Sequence, residues 1–166
     1  ATPGEMLAGK VLGVGGAGLT QLVAILLPAA AVIALQGPLA QLVLGEDAGG
    51  TPLAGLTPGI LVAFAGFFLL GFVLTALVYA AAGSLVSRQE DVQQVALPML
   101  MLSFAAYFAA FFASTNPGAP WVAPLSWLPF FSPYLMLTRL VVGSVEPWEL
   151  ALAVGRLVAA ILVALL

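Results

Sequence analysis

Four long apolar stretches, almost free of charge, run at about 11–35, 58–82, 95–113 and 148–166 of this 166-residue chain. Each approaches or exceeds the roughly 20 residues that a helix needs to cross the hydrocarbon core of a bilayer. Water is absent from that core, so the backbone of a crossing segment must be helical or belong to a closed barrel. The stretches show no alternation of apolar and polar residues, which excludes the barrel. Composition agrees. Charged residues make up 7% of the chain, where a soluble domain carries roughly 25%, and the mean hydropathy is +1.17. The expected fold is all-α: a polytopic membrane protein with four transmembrane helices and a re-entrant or interfacial helix at about 133–143. Residues 1–166 would form one transmembrane domain fragment in contact with the lipid bilayer.

The formal net charge is −3, from four basic and seven acidic residues, which argues against a nucleic-acid partner because that role needs a basic face. Cysteine and histidine are both absent. Disulfides and thiolate sites are thereby removed, together with the commonest general base and metal ligand. No Walker A sequence, no H-E-x-x-H and no carboxylate pair within a span is present, so nothing supports an intramembrane protease or a metalloenzyme. If ATP drives the protein, another polypeptide binds it. The chain starts without Met and stops inside an apolar run at Leu166, and it is expected to be a piece of a longer membrane protein.

Residues 1–10 form a polar lead-in, where Thr2-Pro3 and Glu5 suit the start of a helix. Pro28 should kink the first span. Residues 36–57, rich in Gly and Pro and containing Glu46-Asp47, read as a loop. Thr57 is a plausible N-cap for the second span. Residues 84–94 form a short polar loop that makes the second and third spans antiparallel neighbours, with Pro98 in the first turn of the third. Six prolines lie within 114–147, interleaved with Trp121, Trp127, Phe130, Phe131 and Tyr134, and such aromatics gather at the membrane–water boundary. Ser132-Pro133 would start the short helix and Pro147-Trp148-Glu149 the last span. Four crossings put both ends on one side, with Lys10 and Arg88. The positive-inside rule makes that side, and loop 84–94, cytoplasmic.

Gly13–Gly18 satisfies G-x-G-x-x-G, but no strand precedes it and no acidic residue follows at the dinucleotide spacing. A small-residue face for helix packing is the better reading: Gly9, Gly13 and Ala17 in the first span, and Ala105, Ala109 and Ala113 in the third. Plain Gly/Ala filler is the alternative for both sets. Arg88, Glu90 and Asp91 are either a solvated turn or a docking surface for a soluble partner. Arg156 lies about two turns inside the last span, where charge is costly, and it either snorkels to the interface or serves a pathway or subunit contact. Glu149, seven residues earlier, shares nearly the same face but is too distant for a firm pair. Arg139 in the short helix admits the same two readings.

Three blocks resemble permeases of the ABC-2 type, in the sodium-extrusion-like branch. Residues 5–21 carry Leu7, Ala8, Gly9, Lys10, Gly13 and Gln21 at the positions of a Leu/Ala-Gly-Lys-x-x-Gly pattern closed by Gln. Residues 82–98 (AGSLVSRQEDVQQVALP) resemble the branch's second inner loop. Residues 127–139 (WLPFFSPYLMLTR) resemble its outer Pro-rich element before the last helix.

This resemblance implies a six-helix permease of an exporter in the bacterial plasma membrane, a dimer with a second permease copy, and a separate ABC ATPase subunit that holds ATP and Mg. The chain itself would be a transport subunit with no catalytic site and no cofactor of its own. Glu5, Lys10, Arg88, Glu90 and Asp91 would dock the ATPase and transmit its motion, Gly9 and Gly13 would permit tight helix contact, and block 127–139 would help close the external side. Two other readings stand beside it. A non-transport membrane scaffold predicts no ATPase partner. An ion-coupled secondary transporter usually carries a carboxylate inside a span, and none of the four runs has one away from its end.

Overall fold

The computed structural model describes residues 3–44, 57–84, 89–143 and 145–165. Among these there are six helices and no strand: α1 (Pro3–Leu44), α2 (Pro58–Ser84), α3 (Gln89–Thr115), α4 (Val122–Ser126), α5 (Ser132–Val142) and α6 (Pro147–Ala164). Four contain segments long and apolar enough to cross a membrane, at Gly13–Leu35, Pro58–Ser84, Ala96–Thr115 and Pro147–Ala164. The protein is therefore an all-helical, polytopic membrane protein. The chain divides into two compact units, residues 1–61 and 62–166.

In the first unit, α1 stays helical through Gly13, Gly15, Gly16 and Gly18 and through Pro28. Each glycine costs a helix in water roughly 1 kcal/mol relative to Ala. In hydrocarbon, unwinding would strand backbone groups with no partner, so the solvent overrides propensity. Thr20 returns its hydroxyl to the Gly16 carbonyl at 2.8 Å. The expected loop at 36–57 is partly helical, because α1 continues to Leu44. Proline removes one helical hydrogen bond and bends a helix without having to end it, and the apolar residues after Pro38 carry the pattern on. Glu46 and Asp47 lie outside the described residues. Thr57 does cap α2: the Ile60 N–H points at its Oγ1 at 3.4 Å and its carbonyl at 3.0 Å.

In the second unit, α3 begins at Gln89 and not at Val95. Residues 89–94 are polar, but Gln and Glu are good helix formers and acidic groups suit a helix N-terminus. Polarity there marks the exit from lipid, not the end of the helix. Pro98 consequently lies well inside α3 and not in its first turn.

The Pro-rich segment folds into short helices joined by tight turns, closed by hydrogen bonds such as Val122 N–H to Ala119 O at 3.0 Å and Phe131 N–H to Leu128 O at 3.0 Å. Pro133 and Pro147 occupy the opening turns of α5 and α6, where no backbone N–H is required. Helix α5 ends on Gly143, whose φ of 75° is left-handed, the usual conformation just past a helix C-terminus and one that glycine adopts without strain. Its 11 residues reach about 16 Å at 1.5 Å each. That is half a bilayer core, as a re-entrant or interfacial helix requires.

Helix α5 buries Ser132, Leu135, Met136 and Arg139, a stripe at i, i+3, i+4 and i+7. Met136 joins Phe67 and Leu74 of α2 with Ala153 and Leu157 of α6 in one core cluster. Leu135 joins Ala113 of α3 and Val122 of α4 in a second. Gly71 sits on the buried face of α2 between Phe67 and Leu74 and leaves a notch for α5. A Cβ there would lie 2.9 Å from Pro133 Cγ, and a proline ring cannot swing away.

Gly71→Ala should therefore push α5 off α2 and lower stability by about 1–3 kcal/mol, the usual cost of overpacking. Gly66→Ala on the same helix, where a Cβ meets nothing within 4 Å, should leave it unchanged or slightly raised. Thermal unfolding of the two variants in detergent tests the contrast.

Candidate functional site

The polar centre of the second unit lies where α4, α5 and α6 converge. Arg139, in the last turn of α5, is buried. Its Nη2 donates to Glu149 Oε2 at 2.7 Å and its Nη1 to Ser126 Oγ at 2.9 Å. The Arg139 and Glu149 side chains are only 7% and 8% exposed. Ser126, in the final turn of α4, passes its own proton to the Ala123 carbonyl at 2.7 Å, so one guanidinium ties three helices together.

Glu149 is placed by local sequence. Glu146 is the N-cap of α6 and Glu149 its third residue, and the two form a reciprocal capping box. The Glu146 backbone N–H donates to Glu149 Oε2 at 3.2 Å. The same oxygen thus closes the helix start and receives the arginine. Glu146 in turn accepts the Trp148 indole N–H at 2.7 Å.

Around this pair stand the aromatics. The Trp127 and Trp148 rings lie 6.1 Å apart, and the Arg156 guanidinium lies 5.9 Å from the centroid of Trp127, within cation–π range. Trp127 Nε1 and Ser132 Oγ are buried without a hydrogen-bond partner among the described residues. Such groups are few in a native fold, and both belong to this segment.

A cavity of about 520 Å³ opens beside the centre, among α2, α3 and α5 and the turn before α5. One wall is the ring ladder Phe64–Phe68–Phe72, with successive centroids 6.2 and 6.4 Å apart. Thr75, Ser103 and Thr138 also line it, but each donates its proton to its own helix, to Gly71, Met99 and Tyr134 carbonyls at 2.8, 3.0 and 3.0 Å. The cavity offers rings, methyl groups and hydroxyls, that of Tyr134 among them, and its lining carries no charged side chain.

The other residues singled out from sequence are scattered. Arg88 lies outside the described residues. Glu5 and Lys10 are on α1, and Glu90 and Asp91 open α3, with side chains outside the described ones. A Cβ on Gly9 or Gly13 would meet nothing within 4 Å, and Ala17 is exposed. On α3, Ala109 packs with buried Ala113 against Leu135, while Ala105 is exposed and its neighbour Ala106 is buried. Arg156 is exposed and makes no pair with Glu149, which belongs to Arg139.

Sequence reasoning missed Ser126, Glu146 and Gly71, and read Trp127 only as an interfacial aromatic at the start of block 127–139. The Arg139–Glu149 pair spans a helix break, so no helical spacing announces it. The available signal was charge balance: beyond residue 95 the chain holds two cations, Arg139 and Arg156, and two acids, Glu146 and Glu149.

Removing one member of a buried pair leaves the other uncompensated, at about 3–5 kcal/mol. Arg139→Met and Glu149→Gln should each destabilise by that order. The double variant should cost clearly less than their sum, as a double-mutant cycle of unfolding free energies will measure. Strict additivity would show that the two groups do not act as a pair.

Comparison with known proteins sets this geometry in a family. The model of the ABC-2 family transporter proteins matches residues 2–166. The chain is 33% identical over 153 residues to Uncharacterized protein YhaP of Bacillus subtilis (strain 168), an alignment covering 92% of this chain and 36% of that protein. The chain thus spans about a third of the length of this relative. No solved structure matches it. With its family model covering nearly the whole length, the chain belongs to the ABC-2 family of transporter proteins.

Proposed function

We propose that the chain is membrane-spanning machinery of an ABC exporter, moving its substrate by alternating access that a separate ATPase subunit drives. The observation that carries this is the family match over residues 2–166, joined to four helices able to span a bilayer. ATP and Mg would be held by the partner. The permease would answer by shifting its population between inward- and outward-open arrangements.

The second unit is suited to passing such a motion on. Helices α5 and α6 are joined at the Arg139–Glu149 contact of 2.7 Å and through the shared Met136–Ala153–Leu157 core, so a displacement of α6 carries α5 with it. Docking would fall to the cytoplasmic segment at Arg88 and the first turn of α3, with Glu90 and Asp91, and to Glu5 and Lys10 near the start of α1. The open faces at Gly9, Gly13 and Ala17, and at Ala105, would receive neighbouring helices, among them those of a second permease copy. The blocks at 5–21, 82–98 and 127–139 favour the sodium-extrusion-like branch and a bacterial plasma membrane. They favour no particular substrate.

Co-purification of the full-length protein with its ATPase is the test. Arg88→Glu or Asp91→Arg should abolish the complex, and Arg88→Lys and Asp91→Glu should preserve it. Retention in both charge reversals would remove docking from this segment. Gradient-driven flux in vesicles without ATP would replace the exporter with a secondary transporter.

A further inference from the structure

Beyond residue 95, the charges leave one residue over. Glu149 is engaged by Arg139 and Glu146 by Trp148. Arg156 then has an aromatic face beneath it and no carboxylate partner among the described residues. It is exposed, on a surface of α6 where Gly155, Ala159 and Leu162 are exposed as well. That surface is apolar but for this one cation.

Position along the helix says where the cation reaches. Arg156 is seven residues beyond Glu149, about 10 Å further along α6. Helical side chains lean toward the N-terminus, and a long one in a membrane extends its charge toward the interface. The guanidinium is accordingly found over Trp127, whose ring lies 6.1 Å from that of Trp148. Trp148 is 55% exposed, and tryptophans of this kind mark the headgroup level. The guanidinium lies within cation–π range of Trp127, and its forked N–H groups match the paired oxygens of a phosphate.

We propose that Arg156, set on Trp127 and flanked by Trp148, binds the phosphate of an anionic phospholipid headgroup. Charge complementarity selects the occupant. Guanidinium and phosphate carry opposite charges, and the ammonium of a zwitterionic headgroup would place a second cation beside Arg156. The proposal rests on membrane embedding and is independent of whether the protein exports anything.

Native mass spectrometry of the purified full-length protein tests it, by titration with phosphatidylglycerol and phosphatidylcholine of identical chains. The wild type should prefer phosphatidylglycerol. Arg156→Gln should reduce that preference about fivefold, the effect of one basic residue at an anionic lipid surface, with thermal unfolding in lipid-free detergent unchanged, and Arg156→Lys should retain most of it. If Arg156→Gln does not fold, Trp148→Leu at its exposed position serves instead and should weaken the preference at least twofold. An undiminished preference in the variant overturns the proposal. So does full displacement by millimolar inorganic phosphate, which marks a soluble-anion site. Loss of oligomers with unaltered lipid binding likewise overturns it, since that assigns Arg156 to a carboxylate of another subunit.

Discussion

A peptide group in hydrocarbon has no water to bond, and each one left unpaired costs several kcal/mol. That constraint governs the chain before any side chain is considered. It explains why α1 remains helical through four closely spaced glycines, a composition that would unwind a helix in water. Among the described residues, irregular backbone lies mostly between α3 and α6. There the turns close on themselves through local hydrogen bonds, and two prolines sit in helix-opening turns that need no donor.

The constraint fixes helices but not their arrangement. Lipid tails are as apolar as leucine, so helices in a bilayer gain little from hiding apolar surface against one another. Arrangement needs directional contacts, and the second unit has two. The Gly71 notch admits the Pro133 ring, and the Arg139–Glu149 pair fixes the end of α5 against the start of α6. A buried pair adds little net stability over apolar residues of the same shape. What it contributes here is register. The guanidinium must meet Ser126 and Glu149 at once, at 2.9 and 2.7 Å, and one helical step of α5 in either direction breaks both bonds.

Spans, the short α5 helix, the Thr57 cap and the start of α6 were legible in the sequence, because each follows from local composition: a run of apolar residues, a hydroxyl before a proline, an acid three residues into a helix. Helix ends beyond the membrane were not. At 36–44 and 89–94 polarity and proline suggested loops, since both signals report the solvent more directly than the backbone. The centre itself was hidden for a different reason. Arg139, Ser126 and Glu149 lie on three separate elements joined by turns, and their meeting depends on how those turns are folded, which no periodicity carries. Arg139 and Arg156 looked alike as lone cations in apolar sequence. One is buried in an ion pair and the other exposed on an indole, a distinction decided by which face of its helix meets α6 or lipid.

The resulting division of charge bears on what the cavity beside α5 can hold. The nearby ionised groups are spent on structure or exposed at the aromatic level, and Thr75, Ser103 and Thr138 in the cavity wall donate to carbonyls of their own helices. A bare cation entering there would exchange its hydration shell for phenyl rings and a few oxygen lone pairs, with no fixed negative charge to offset the loss. A neutral, largely apolar molecule faces no such penalty and gains contact with the Phe64–Phe68–Phe72 ladder. The described lining of this cavity, ring-rich and without a charged side chain, thus suits neutral apolar groups better than a bare cation.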